Sequence, residues 1–463
     1  MDTLNLSFSK LFSQNEGTTD SEKYLVKLAR KTFLSFWSYS NPYTDESKGS
    51  EFCDFMVVFG NDVILFSDKH CNFPEIEDKK IAWGRWYKSA IKKSVRQLVG
   101  ASSFLMKFPN RIFLDKTCEN NLPIPIPSLD NIKIHLIAVT RGSAEASMKY
   151  WGGGSSSSLM INTMIEGNNH KETPFMIGWP LDRRRFVHVL DELTLDILLS
   201  ELDTTADFIS YLNKKEAYLT PTNYAFIISG EEELLAYYLM NPNEDYDGFS
   251  FPAINKERAL VRIDEGKWNQ LSKSKPYLKW KKVNEISYEW DRLIESQASQ
   301  VYQDNSPILR NDYPTFLEFH AHEMLLRAMA SEGRSTRRIL AEQHLLILNK
   351  KCEENRLIKT IIFPNKPERA YILMVLKDDQ PQEYDVYREQ RLSSLVGYCR
   401  ACPLRFAGVK EVIGIASEPS NSKMLTRDFI YMQVIEDISL KSRDEEISLL
   451  KAAGIWKDEW NVN

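Results

Sequence analysis

Residues 21–37 (SEKYLVKLARKTFLSFW) put Leu25, Ala29, Thr32 and Phe36 on one stripe at 100° per residue, the pattern of an amphipathic helix. Asp20 or Ser21 stands where such a helix is capped, and Glu22 falls at the edge of the stripe. The period then changes to that of strands. FMVVF and VILF, within residues 51–70, are β-branched and aromatic runs separated by Gly60-Asn61-Asp62, which supplies hairpin turn chemistry. Residues 39–50 (YSNPYTDESKGS) read as a loop with at most a short strand. Helical spacing returns over 83–107, where Tyr87, Ile91, Val95 and Leu98 form an apolar side. RIFLD at 111–115, a proline-rich link at 122–130 and the strand-like KIHLIAVT at 133–140 complete an N-terminal region of about 140 residues.

Beyond it, a helix is expected through 143–151, ending in Gly152-Gly153-Gly154 and four serines. No Lys-Ser or Lys-Thr follows that run, so it reads as a surface loop and not a phosphate loop. Residues 191–216 predict two helices broken near Asp203, with Thr204 able to cap the second. AFIISG at 225–230 is a strand leading into a helix, and aromatic-rich helices continue through 267–302. The last part predicts one long helix over 314–350, strands IKTIIFP and AYILMVLK, a helix at 383–404 and the strand EVIGIAS at 411–417. That order of helix, hairpin, helix and strand repeats the order of the first 140 residues. The expected division is therefore 1–141, a mostly helical 142–310, and a C-terminal α/β region at 311–463.

The hairpin gathers its charges at its open end: Asp54 before the first strand, Asp68 and Lys69 closing the second. A two-residue loop at Asn61-Asp62 sets Asp54 opposite Lys69, and a three-residue loop at Gly60 to Asp62 sets it opposite Asp68. A bulge near Ser67 could turn both toward Asp54. Carboxylates brought together here repel unless they share a proton or hold a cation, and a hard divalent ion such as Mg²⁺ takes oxygen ligands of this kind. An ordinary hairpin with a cross-strand ion pair is the competing reading.

Charge changes the picture further along. The chain carries 59 Lys and Arg against 64 Asp and Glu, yet Lys79 to Lys116 holds ten basic residues and the single acid Asp115. Arg85, Lys88, Lys92 and Arg96 share one helical face, with Lys93 and Gln97 on its boundary four residues apart. So local a basic stripe in an acidic chain suits a polyanion, most simply a nucleic-acid backbone.

Helix, acidic hairpin ending at Asp-Lys, then a helix with Gln97 and basic residues: this order resembles the PD-(D/E)xK nuclease superfamily. The resemblance covers the first 140 residues and implies a restriction-endonuclease-like α/β fold, a mixed sheet flanked by helices, followed here by a helix-rich α/β region. It implies Mg²⁺ or Mn²⁺ held by Asp54 and Asp68, Lys69 orienting the attacking water, and Gln97 and Glu22 completing the site. Arg85, Lys88, Lys92, Lys93 and Arg96 would bind nucleic acid, DNA before RNA. A bacterial defence or DNA-processing role follows only by analogy with the fold. The family places an acid two residues before its lysine, where this chain has Ser67. The alternative is thus an inactive nuclease fold serving as a nucleic-acid-binding or protein scaffold, with the C-terminal region as an oligomer or partner interface.

Other motifs carry less. Cys399 and Cys402 form a C-x-x-C without a second pair and read as buried helix cysteines. His320 and His322 diverge by about 200° on a helix, unlike a zinc pair. His70 could join the hairpin site, Arg183 to Arg185 read as an exposed turn, and His135, His170, His188 and His344 look isolated. No run of 18 apolar residues and no basic-then-apolar leader is seen; with six scattered cysteines this predicts a cytoplasmic chain.

Overall fold

The computed structural model describes residues 19–152, 158–244, 248–254, 259–302, 315–350, 355–377, 383–422, 426–434 and 440–456. The chain divides into two compact units, Met1–Val283 and Asn284–Asn463. Among the described residues no helix is long and apolar enough to cross a membrane.

In the first unit the initial helix, α1 (Asp20–Trp37), starts one residue earlier than expected. Thr19 is the cap: its hydroxyl accepts from the Glu22 backbone while the Glu22 carboxylate accepts from the Thr19 backbone, a capping box. Leu25, Ala29, Thr32 and Phe36 are all buried. Leu34 adopts a left-handed φ of 59° that ends the regular helix and turns the chain into β1 (Ser38–Ser40). This short strand had no sequence signal because two of its three residues are serines.

The expected hairpin forms β2 (Phe55–Phe59) and β3 (Asp62–His70). A helical segment follows as α2 (Lys79–Tyr87), a π turn at Lys88–Lys92, and α3 (Lys93–Lys107). The chain then crosses to β4 (Lys133–Arg141), which runs parallel to β3 from Asp62↔Lys133 to His70↔Arg141. With β7 (His188–Asp191) parallel to β4, the five-stranded sheet has the order β1-β2-β3-β4-β7. Helix α1 packs on β2 and β3, whereas α3 packs on β3 and β4. Ser94 on α3 donates to the Ser67 carbonyl, which fixes how that helix meets the sheet.

Residues 142–283 belong to the same unit. They form a second sheet from β5 (Met160–Glu166), β6 (Met176–Trp179), β8 (Ala225–Ile228) and β9 (Leu260–Ile263), in the order β9-β8-β5-β6. They also supply α4 (Glu192–Glu201) and α5 (Thr205–Leu219), the expected pair broken at Asp203 and capped by Thr204.

The second unit departs from one long helix over 314–350. It has α6 (Thr315–Ala330) and α7 (Arg334–Asn349), separated where Gly333 serves as N-cap. β10 (Arg356–Phe363) and β11 (Lys366–Leu376) form an antiparallel hairpin; after α8 (Tyr384–Arg405), β12 (Glu411–Ser417) returns parallel to β11 and β13 (Arg427–Gln433) closes the edge. The hairpin–helix–parallel-strand order of the first unit thus recurs.

Candidate functional site

The hairpin pairs Phe59 with Asp62, so its loop is Gly60-Asn61, with Gly60 at φ 59°. Neither expected register forms. The paired ladder ends at Phe55↔Phe66; the Asp54 amide donates to the Phe66 carbonyl, one residue out of that register, so Asp54 stands just beyond the ladder. Ser67 and Lys69 share one face of β3, and Asp68 points to the other.

That alternation separates the two aspartates expected to act together. The Asp68 carboxylate takes a forked contact from Arg141, at 3.1 and 3.3 Å from Nε and 3.2 Å from Nη2. Arg141 also lies over the Tyr24 ring of α1, 5.6 Å from its centroid. The Asp68 carboxylate is thus engaged by Arg141, while its backbone N–H donates to Asp54 Oδ2 at 2.5 Å and its carboxyl still feels the Asp54 charge. Burial raises the Asp68 pKa even against the opposing pull of Arg141.

Around Asp54 the structure gathers a different set. Lys69 Nζ lies 3.9 Å from Asp54 Oδ2. Gln97, presented by α3, accepts the Ser67 hydroxyl hydrogen bond at 3.3 Å. A third carboxyl comes from Glu51, which sequence reading missed. It accepts from Asn41 Nδ2 at 3.0 Å and lies close enough to Asp54 to feel its charge. The same Asn41 amide reaches Glu22 Oε2 at 3.5 Å, so Glu22 both caps α1 and borders the cluster. His70 follows Lys69 on the opposite face and is exposed.

Glu51 arrives on a two-residue strand, Ser50–Glu51, paired to Tyr43–Thr44, which in turn pairs with Ile112–Phe113. Phe52 N–H donates to the Pro42 carbonyl and Asn41 N–H to the Asp54 carbonyl, folding this loop back beside the hairpin. Arg111 holds it at a distance by a two-pronged contact with Asp45.

Asp54 is only 3% exposed, and burial is the main cause raising its pKa; Lys69 and the Asp68 N–H oppose the rise, and Glu22 adds to it. The Glu51 pKa is raised by lost hydration and then by the charge of Asp54. Two neighbouring carboxyls with raised pKa values repel each other once ionised. A divalent cation between them would relieve that repulsion, and oxygen donors from Asp54 and Glu51 fit a hard ion such as Mg²⁺.

Along the neighbouring helical segment Arg85, Lys88, Lys93 and Arg96 are exposed and Lys92 is half-buried, bonded to Asn168 at 3.0 Å. Burial and the charges of Arg96, Lys171 and Lys88 lower the Lys92 pKa, so this face is a concentrated positive field. Tyr87, Ile91, Val95 and Leu98 are buried as expected.

Elsewhere, Cys399 and Cys402 are buried on α8 and their thiol pKa values are driven up by burial, as inert helix cysteines require. His135 and His188, isolated in sequence, meet around Glu216. The fold was needed to see this, because parallel pairing of β4 with β7 joins residues more than fifty apart. Against known proteins the chain stands alone: no family model, no curated protein and no solved structure matches it.

Proposed function

We propose that the first unit is a Mg²⁺- or Mn²⁺-dependent nuclease related to the PD-(D/E)xK superfamily, with Glu51 in place of the acid that Ser67 lacks. The observation that carries this reading is the convergence of Asp54, Glu51, Lys69 and Gln97 at one end of a hairpin, beside an exposed basic helix face. The order α1, three antiparallel strands, helix and parallel strand is also the one expected of a restriction-endonuclease-like core.

In this reading Asp54 and Glu51 hold the cation, which supplies charge neutralisation at the phosphodiester and a more acidic bound water. Lys69 stands close enough to Asp54 to orient the attacking water and to offset charge gathering on the phosphate. Gln97 and Ser67 position the Lys69 face of β3 against α3. Arg85, Lys88, Lys93 and Arg96 bind backbone phosphates and set position without reading sequence. Asp68 keeps its strand in register through Arg141 and touches no substrate.

A second reading draws on Ser67 itself. Its hydroxyl donates to Gln97, and it stands where the superfamily has an acid two residues before the lysine. The unit would then bind nucleic acid, or a partner protein, without cutting.

The test is cleavage of plasmid, linear, single-stranded DNA and RNA in Mg²⁺ or Mn²⁺, with Asp54→Ala, Lys69→Ala and Glu51→Gln alongside. Metal-dependent cutting lost in all three supports the site as assigned. Cutting that survives Glu51→Gln but not Asp54→Ala removes Glu51 from it. Metal-indifferent binding with no cutting supports the scaffold.

A further inference from the structure

At the far end of the same sheet lies a cluster that the nuclease reading does not use. His135 is the third residue of β4 and His188 the first of β7; His188 pairs with Ile137, so the two imidazoles sit diagonally on one face. Glu216 of α5 reaches between them. Its Oε1 lies 2.7 Å from His135 Nδ1 and 3.0 Å from His188 Nε2, and one donor atom from each residue lies within 4.8 Å of the others.

The hydrogen bonding of His135 is the informative detail. Its Nδ1 faces the Glu216 carboxylate and its Nε2 faces Asp62 Oδ1 at 2.9 Å. A neutral imidazole has one N–H and can satisfy only one of two such acceptors. With both carboxyls ionised, the ring is an imidazolium or a cation stands at Nδ1.

We propose that His135 Nδ1, His188 Nε2 and Glu216 Oε1 bind a zinc ion that clips β4, β7 and α5 together. With the metal on Nδ1, the His135 Nε2–H is free to donate to Asp62, the outer carboxylate that orients zinc-bound histidines. Two imidazoles and one carboxylate are a zinc donor set and a poor one for Mg²⁺, which prefers oxygen. The Lys133 ammonium, 3.2 Å from Glu216 Oε2, occupies the other carboxylate oxygen and leaves Oε1 to the ion. Both histidine side chains are fully buried, whereas Glu216 and Asp62 are 18% and 23% exposed, so a water can complete a tetrahedron from the solvent side. With zinc on Nε2 the buried His188 Nδ1 carries the proton and meets no acceptor, a cost that the metal bond must exceed. Asp62 and Lys69 stand seven residues apart on β3, on the order of 20 Å, so this site is distinct from the hairpin end.

The full-length chain, free of any histidine tag, is stripped with chelator and titrated with Zn²⁺ and with Co²⁺. The expected result is one tight equivalent of zinc per chain, a visible tetrahedral Co²⁺ spectrum, and a melting temperature that chelator lowers. Glu216→Gln and His188→Gln abolish the Co²⁺ spectrum, Asp62→Asn weakens zinc binding about 10- to 100-fold, and Asp54→Asn leaves it unchanged. Wild-type protein that folds normally yet takes up no tight zinc and gives no Co²⁺ spectrum overturns the proposal in favour of the imidazolium. Because the wild-type titration needs no variant, a misfolded substitution does not obscure the outcome.

Discussion

Asp54→Asn separates the role the structure shows for this residue, buried hydrogen-bond acceptor, from the role proposed for it, cation ligand. As an acceptor Asn can keep the bond from the Asp68 N–H while removing a charge that is 3% exposed. The folded Asp54 pKa is raised above the ordinary 3.8, so the contribution of this group to stability is present below pH 3.8 and lost as pH rises through the raised value. At pH 8 without metal the variant is therefore as stable as wild type or more so. As a ligand Asn cannot substitute. Mg²⁺ at ten times its dissociation constant stabilises wild type by about 1.4 kcal/mol. For a unit of this size that is roughly 3 °C in melting temperature, and the variant should show none of it. The assay is thermal melting followed by tryptophan fluorescence across a Mg²⁺ series, after zinc has been removed. A Mg²⁺ shift of equal size in Asp54→Asn would refute the assignment of the cation to this carboxyl. A loss of several kcal/mol in metal-free Asp54→Asn would refute the claim that its charge is destabilising.

The basic face gives a salt-dependent prediction: replacing Arg85, Lys88 and Arg96 together with Gln should reduce the slope of log affinity against log salt by about 0.9 for each phosphate no longer neutralised, measured on duplex DNA. Stability should hardly change, because all three side chains are exposed. His170 predicts an acid-sensitive first unit. It is stacked on Tyr87 at 5.0 Å, accepts from the Gly178 N–H and has its pKa lowered by burial to about 4. Its stabilising contribution is complete above the ordinary 6.5 and is lost as pH falls from there toward 4, by up to about 3 kcal/mol. Urea melts of His170→Gln should be flatter between those values than wild type.

The parts of this fold that could be read from the chain are those written in local periods. The α1 stripe, the hairpin and the basic helix each repeat within a few residues, and the structure places them as expected. The hairpin register was less accessible, since Gly60, Asn61 and Asp62 all suit a turn. Tertiary contacts draw Asp62 into the strand, where it pairs with Phe59 and bonds His135. In that register Asp54 falls just beyond the ladder, and the Asp68 carboxylate meets Arg141. Glu51 left no trace in any period, because it sits in an irregular stretch whose shape is set by pairing to Ile112–Phe113, some sixty residues later. The histidine pair was hidden for the same reason.

Glu51 owes its position to a side loop and not to the main sheet. Asp54 is buried just before β2, and Lys69 lies on β3, a central strand of the main sheet. Glu51 is held by two-residue strands at the margin and by the half-exposed Asp45–Arg111 contact. Gain or loss of its carboxyl is nearly independent of whether the domain folds. Under the proposed assignment, a single change at the rim would move one scaffold between cutting and merely holding a polyanion.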